Sequence, residues 1–375
     1  NVNLNTTSSR RANAIAFDIR EAGRLKREGD PITGKLVSDE NGEPVRTPGK
    51  FKSVKGIGWY IDEYGIAQIS YNLTNIKIAS IHEVFDESCK SADSRGLRVT
   101  GSELIGLVPL QAMLDAGKYF LNKQERSTGI AESEIIKIAV KSLGLDDLAP
   151  FDPNEKIIEY KLKQGQEKGL VDMTLTGFAN ETASESMAPG GGSISAYAGS
   201  LGISLAVMVA NLSAHKRGWD TRWKEFSDWA EKGTKIQQEL LRLVDEDTNS
   251  FNGIMAAFGL PKDSEEDKLA RKEAIENATK YATEVPLEVM VQSYNSMEVI
   301  KAMAEIGNPN SITDAGVGAL CARTAVLGAF LNVKINASGL NDASFVKNIM
   351  VKATEIANAT TELENEIMEL VDSKM

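Results

Sequence analysis

The chain has little of what most often builds metal sites and nucleophilic triads: in 375 residues there are two cysteines and two histidines. Cys89 and Cys321 lie far apart in segments of different character, which excludes a disulfide framework and a cysteine-based zinc site. His82 and His215 give neither a metal-ligand spacing nor a nucleophilic triad, so no metal is expected. Positive charge is also in deficit. A formal net charge of -11 excludes a general nucleic-acid binder, whose footprint must be basic, and any anionic ligand needs its own local cations. No basic region followed by an apolar run opens the chain, so no signal peptide is expected and the cytoplasm is the expected location. The longest apolar stretch, 194–212, carries Ser195, Ser200, Ser204 and Asn211; it reads as a buried helix of a bundle, and no membrane span is expected.

What is present divides in two. Up to about residue 122 the segments alternate in type. "VNLN" reads as a short strand and "SRRANAIAFDIREAGRLKREG" as an amphipathic helix with Ala14, Ile15 and Ile19 on its apolar side. A polar insert over 30–50 reads as an exposed loop or hairpin, and "VKGIGWYID" and "IAQISYNL" as a hairpin joined at "EYG". A helix, an extended segment and another helix follow, which predicts an α+β fold of ferredoxin-like type. Beyond 165 strand signals stop. We expect domains over 1–164 and 174–375 joined by a linker at 165–173, the second all-α with helices near 174–186, 193–214, 219–258, 264–282, 285–305, 312–335 and 343–373. The helices starting at Ser193 and near Thr313 are made largely of Ala, Gly, Ser and Val, so they are expected at the centre, where backbones approach closely.

Three features carry candidate chemistry. Pro189, Gly190, Gly191, Gly192 and Ser193 stand just before a helix, where free N–H groups and bare backbone suit an anionic or polar ligand; tight packing against a neighbouring helix is the other reading. In "LLRLVDEDTNSFNGIM", Leu240, Leu241, Val244, Phe251, Ile254 and Met255 form an apolar stripe with Asp247 in its gap. A carboxylate there is either an acid of raised pKa or one satisfied by a lysine or by backbone amides, whereas Asp245 and Glu246 point to the polar side. Lys216, Arg217 and Arg222 interleave with Trp219 and Trp223, which suits either a carboxylate beside an aromatic ligand or a charged helix connection. Arg323, Asn332 and Asn336 sit in an otherwise apolar helix and need partners. His82 reads as structural.

Taken together, these segments resemble the formimidoyltransferase-cyclodeaminase family over essentially the whole chain. In the second half the likeness rests on "APGGGSISAYAGSLGISLAVMVANLS", "LVDEDTNSF" followed by "LPK", and "GAFLNVKIN"; in the first it rests on "KGIGWYIDEYGIAQISYNL", "VTGSELIGLVPLQAMLDAG" and "SLGLDDLAPFDPNEKIIEY". The resemblance implies the ferredoxin-like C-terminal subdomain of the transferase followed by a complete cyclodeaminase domain. It implies a chain lacking the N-terminal transferase subdomain, so the transferase half is expected to be incomplete and inactive alone. The implied reaction closes a ring in 5-formimino-tetrahydrofolate, giving 5,10-methenyltetrahydrofolate and ammonia. Asp247 would be its acid/base group and Asp245 the runner-up. Pro189 to Ser193 would lie against the folate, and Lys216 and Arg217 would hold its glutamate carboxylates or position Asp247. No cofactor beyond the tetrahydrofolate substrate is implied. The implied partners are folate, with or without a polyglutamate tail, and further copies of the chain, as dimers and, at full length, an octamer. The rival readings are a methenyltetrahydrofolate cyclohydrolase and a non-catalytic folate-binding or assembly module.

Overall fold

The computed structural model describes residues 1–30, 33–165 and 168–375. They form two compact units: Asn1–Gln124 with Ala131–Gln166, and Glu125–Ile130 with Glu167–Met375. Pro31 and Ile32 of the polar insert, and Gln166 and Glu167 of the expected linker, lie outside the described residues.

In the first unit β1 (Val2–Leu4), α1 (Ser9–Ile19), β2 (Val54–Ile61), β3 (Ile66–Leu73), α2 (Ile81–Asp93) and β4 (Val99–Ser102) make an antiparallel sheet in the order β2-β3-β1-β4 with its helices. Val2, Leu4, Ala67 and Ile69 share a core with Ala12, Ile15, Ala16 and Ile19 of α1. The buried row of α1 thus runs through Ala12 and Ala16, and Ala14, expected on it, is only half-buried. A glycine sets how closely α1 lies on β2: a Cβ on Gly58 would stand 2.3 Å from the backbone nitrogen of Asn13. The Asn13 amide instead donates to Gly58 O at 2.8 Å and accepts from Gly58 N at 3.0 Å. The insert forms short ladders, Arg24–Leu25 with Arg46–Thr47 and Arg27–Glu28 with Lys35–Leu36. Four helices complete the unit, α3 (Leu110–Lys123), α4 (Glu132–Leu143), α5 (Pro153–Lys156) and α6 (Ile158–Lys163), and Met113, Ala116, Ile136 and Val140 fill a second core between α3 and α4.

The second unit is helical: α7 (Leu175–Thr182), α8 (Gly191–Ala214), α9 (Trp223–Phe258), α10 (Glu265–Ile306), α11 (Ile312–Ala337) and α12 (Ala343–Lys374). Residues 125–130 belong with it: Thr128 N donates to Ser227 Oγ at 3.0 Å and Asn211 Nδ2 to Gly129 O at 2.8 Å. Two sequence expectations fail here. Helices expected over 264–282 and 285–305 are one helix, α10, which runs through Pro286. A proline removes one helical hydrogen bond, but Val285, Pro286, Val289 and Met290 are buried between neighbouring helices, and that packing holds the helix together. The helix expected from 219 starts as a single turn, Asp220–Arg222, after Gly218 at φ +87°, and α9 follows it.

Small residues fix where α8 and α11 cross. A Cβ on Gly202 would stand 2.8 Å from Gly318 O, and one on Gly318 would stand 2.9 Å from Gly202 O. Gly199 is equally confined, its missing Cβ lying 2.5 Å from Ser293 Oγ. Both helices are long and apolar enough to cross a membrane by length and composition, and both pack against other helices of the unit.

These contacts predict opposite outcomes for two glycines. Gly202→Val should lower stability by about 1–3 kcal/mol through overpacking. Gly253, which has nothing within 4 Å of a built Cβ on the exposed side of α9, should gain about 0.5–1 kcal/mol on replacement by alanine. Urea unfolding of both variants checks the pair; equal effects would contradict the crossing geometry.

Candidate functional site

Helix α8 starts without a side-chain cap of its own. The chain leaves a cis Ala188–Pro189 peptide, Gly190 is extended, and no side chain at that position can accept from the first free N–H groups. The acceptor comes from another helix. Asp247 of α9 receives Ser193 N on Oδ2 at 2.8 Å, so a carboxylate stands where the helix dipole favours negative charge. Gly192 makes room for it, since a Cβ there would lie 2.0 Å from Asp247 Oδ1. Gly191 faces α11, its missing Cβ 3.3 Å from Asn332 Nδ2, and Gly190 faces open space.

The Ser193 hydroxyl has one proton and reaches Val244 O at 2.8 Å and Asp247 Oδ2 at 3.1 Å, with Thr248 Oγ1 farther off at 3.5 Å. It can therefore donate to an ionised Asp247 and turn to Val244 when Asp247 is protonated. Burial raises the Asp247 carboxyl above the ordinary carboxylate value, and the side-chain and backbone bonds from Ser193 act against that rise. Such an acid is half-buried, neutralised more easily than usual, and held against a helix N-terminus. It can take up and release a proton at one oxygen.

The other predicted residues are placed differently. Asp245 is bound up in packing: its Oδ1 accepts from Leu170 N at 2.6 Å, and Gly169 has no Cβ because one would meet its Oδ2 at 2.3 Å. Glu246 accepts from the Tyr281 hydroxyl at 2.5 Å. Lys216 and Arg217 follow the C-terminus of α8, a helix of 24 residues. At ~1.5 Å per residue this puts them about 36 Å from Asp247. The expectation that they position Asp247, or share one site with it, therefore fails within one chain. Lys216 Nζ instead lies 4.2 Å over the Trp219 ring, which stacks on Phe226. His82 packs against Tyr119 with ring centroids 4.6 Å apart and the planes tilted by 32°, and meets Ser80 Oγ at 3.1 Å.

Two further features belong beside Asp247. Asn332, half-buried on α11 and donating to Gly328 O at 3.0 Å, lines the α8 N-terminus; its polarity in an apolar helix was the only sequence signal for it. The apolar stripe of α9 also behaves differently from the expectation of one buried face. Leu240 and Val244 are buried, whereas Phe251 is 37% exposed and Met255 46%. Asp247 sits where the stripe leaves the core. A cleft of about 630 Å³ lies in the first unit among Trp59, Phe85, Ile105 and Met113 and contains none of these groups.

A family model described as Formiminotransferase-cyclodeaminase matches residues 174–355, and one described as Formiminotransferase domain matches residues 1–163. The formimidoyltransferase-cyclodeaminase of Gallus gallus is 38% identical over 92% of this chain and 60% of that protein, and the one of Dictyostelium discoideum 34% identical over 100% and 65%. A methenyltetrahydrofolate cyclohydrolase of Methylorubrum extorquens is 34% identical over 54% of this chain and 97% of that protein. The chain belongs to the formiminotransferase-cyclodeaminase family. It spans 60–65% of the length of these two formimidoyltransferase-cyclodeaminases. The transferase-domain match over residues 1–163 corrects one expectation: a missing transferase subdomain and an incomplete, inactive transferase half are not supported.

The raised pKa of Asp247 has a consequence for stability. The folded chain holds this proton more tightly than the unfolded chain, so stability falls as pH rises from the unfolded value near 3.8 through the raised folded value. Asp247→Asn, uncharged and of similar shape, removes that loss. Urea unfolding should show the variant more stable than wild type at neutral pH, with the difference closing in acid; a difference that does not change with pH would contradict the assignment.

Proposed function

We propose that the second unit is a formimidoyltetrahydrofolate cyclodeaminase with Asp247 as its acid/base group. The observation that carries this reading is the half-buried carboxylate of raised pKa held by Ser193 on the bare N-terminus of α8. In the reaction the N10 nitrogen attacks the formimino carbon and loses a proton, and the amino group then gains one and leaves as ammonia. One group that accepts and returns a proton at the same oxygen serves both steps. Ser193 positions that oxygen, and its hydroxyl follows the charge. Pro189, Gly190, Gly191, Gly192 and Ser193, with Asn332 across from them, form the surface on which the folate lies. Asp245, engaged by Leu170 N, is the weaker candidate. No metal or redox group takes part in this scheme.

The first unit is read as a ferredoxin-like transferase subdomain on its βαββαβ order and antiparallel β2-β3-β1-β4 sheet. The domain limits proposed are 1–164 and 174–375, with 165–173 between them. The chain is further read as a homo-oligomer. On α8, Ile194, Ala198, Leu201, Leu205, Met208 and Leu212 follow a 4-3-4-3-4 spacing, and Ile194, Leu201, Met208 and Leu212 are 38–48% exposed. On α11, Val317, Leu320, Leu331 and Ile335 are 43–67% exposed. Such seams suit burial against a second copy.

A second reading, methenyltetrahydrofolate cyclohydrolase, is favoured by the relative of that name, matched over 97% of its length. There the same carboxylate would move protons for an attacking water. Two substrates separate the readings. With chemically prepared 5-formimino-tetrahydrofolate the chain should release ammonia together with the near-ultraviolet absorbance of the methenyl product, and Asp247→Asn should slow this about 10²–10⁴-fold. Decay of that absorbance from added methenyltetrahydrofolate, with no ammonia from the formimino compound, would favour the cyclohydrolase. A folded chain inert to both would sink the enzymatic reading.

A further inference from the structure

Two residues before Asp247, α9 carries a second carboxylate that the proposed proton transfers do not use. Asp245 Oδ1 accepts from Leu170 N at 2.6 Å, and the chain passes so close that a Cβ on Gly169 would stand 2.3 Å from Oδ2. Gly169 has φ -77° and ψ 178°, a backbone that any residue adopts, so the nearby carboxylate and not the turn leaves no room for a side chain. A bond from an N–H to an ionised carboxylate is about twice as strong as one between neutral groups.

What this bond holds is the segment 171–188, which includes α7. Both of its ends come to the acid: Leu170 is tied two residues from Asp247, and Ala188 leads through Pro189 into the glycine run and Ser193, whose N–H donates to Asp247 at 2.8 Å. Little else attaches the segment. α7 has no buried residue, and Leu175 and Met187 are 75% and 70% exposed. Phe178 packs on Tyr197 of α8 with ring centroids 5.4 Å apart, beside a void of about 40 Å³ among Leu170, Met173, Leu175 and Val244. Among the described residues, the hydrogen bonds of 171–188 all close within 169–188, as those from Gly177 N to Thr174 Oγ1, Thr182 Oγ1 to Phe178 O and Ser186 Oγ to Ala188 O do.

We infer that Asp245 is a positioning residue: its carboxylate is the tether on which segment 171–188 swings beside Asp247, closing water out of the site once ligand is bound and opening to release product. The effect on turnover rests on the proposed reaction, and the tether itself does not. A segment held by one charged bond next to the acid, and otherwise closed on itself, opens without unfolding α8 or α9. Closed, it keeps bulk water from the carboxyl that moves the proton. The acid that anchors the segment and the acid that transfers the proton are then two residues apart on one rigid helix, so closure and chemistry share a frame.

The test uses glutamyl endopeptidase, because 171–188 holds no lysine or arginine but contains Glu181 and Glu185. Cleavage there follows the open fraction of the segment. Asp245→Ala should be cut at these two sites about tenfold faster than wild type, the effect of losing one hydrogen bond to a charged group. Asp245→Asn, whose side-chain oxygen still accepts from Leu170 N, should recover most of the protection. With 5-formimino-tetrahydrofolate, Asp245→Ala should raise KM by about the same factor while the limbs of the kcat pH profile stay in place. Gly169→Ala crowds the same carboxylate and should act in the same direction, and adding it to Asp245→Ala should change nothing further. Equal cutting of wild type and Asp245→Ala overturns the tether, and faster cutting with KM unchanged overturns the positioning role. An Asp245→Asn loss in kcat as large as that of Asp247→Asn overturns it too, since Asp245 would then be the proton carrier. Faster cutting of Asp245→Ala in a chain whose wild type turns nothing over keeps the tether and sinks the proposed reaction.

Discussion

One contact organises the second unit: the Asp247 carboxylate resting on the N-terminus of α8, where Ser193 donates to it and Gly192 has no side chain to push it away. Burying an acid in this way is unfavourable unless donors meet it, and the donors are the backbone N–H and the hydroxyl of Ser193, in the first turn of a helix that has no cap of its own. The arrangement holds only while α8 stays close to α9. Ser193 Oγ reaches Val244 O at 2.8 Å from the same position, so the residue that serves the acid also locks the two helices together.

The small residues of α8 and α11 follow from that need. A helix that must bring bare backbone to a carboxylate at one end is held along its length by contacts of the same kind, Gly202 against Gly318 and Gly199 against Ser293. The core they leave is made mostly of Ala, Val, Ile, Leu and Met side chains from five helices, with Phe226 as its fully buried aromatic. The outward faces of α8 and α11 remain apolar, which leaves both helices long and apolar enough to cross a membrane while packed in a bundle.

Much of this architecture was legible in the sequence, because helical periodicity and runs of Ala and Gly are local signals. The gap in the apolar stripe at Asp247 marked a carboxylate in an unusual place, and the structure puts it against the glycine run 54 residues away from it at Ser193. What was not legible depended on distance in space. Pro286 reads as a break, but burial on all sides carries α10 through it. Lys216 and Arg217 follow the glycine helix closely in sequence, and only its 24-residue length shows that they lie at its far end. Phe251 and Met255 continue a core periodicity yet stand exposed.

The most direct test of the account is the pH profile of kcat/KM for methenyl formation, measured beside the carboxyl carbon resonance of Asp247 in wild type and Ser193→Ala. The Ser193 side-chain bond lowers the Asp247 pKa against the burial that raises it, so losing that bond should move the NMR titration upward. A limb of the rate profile should move with it by the same amount. A limb that stays in place while the Asp247 resonance shifts would contradict the claim that this carboxyl carries the proton.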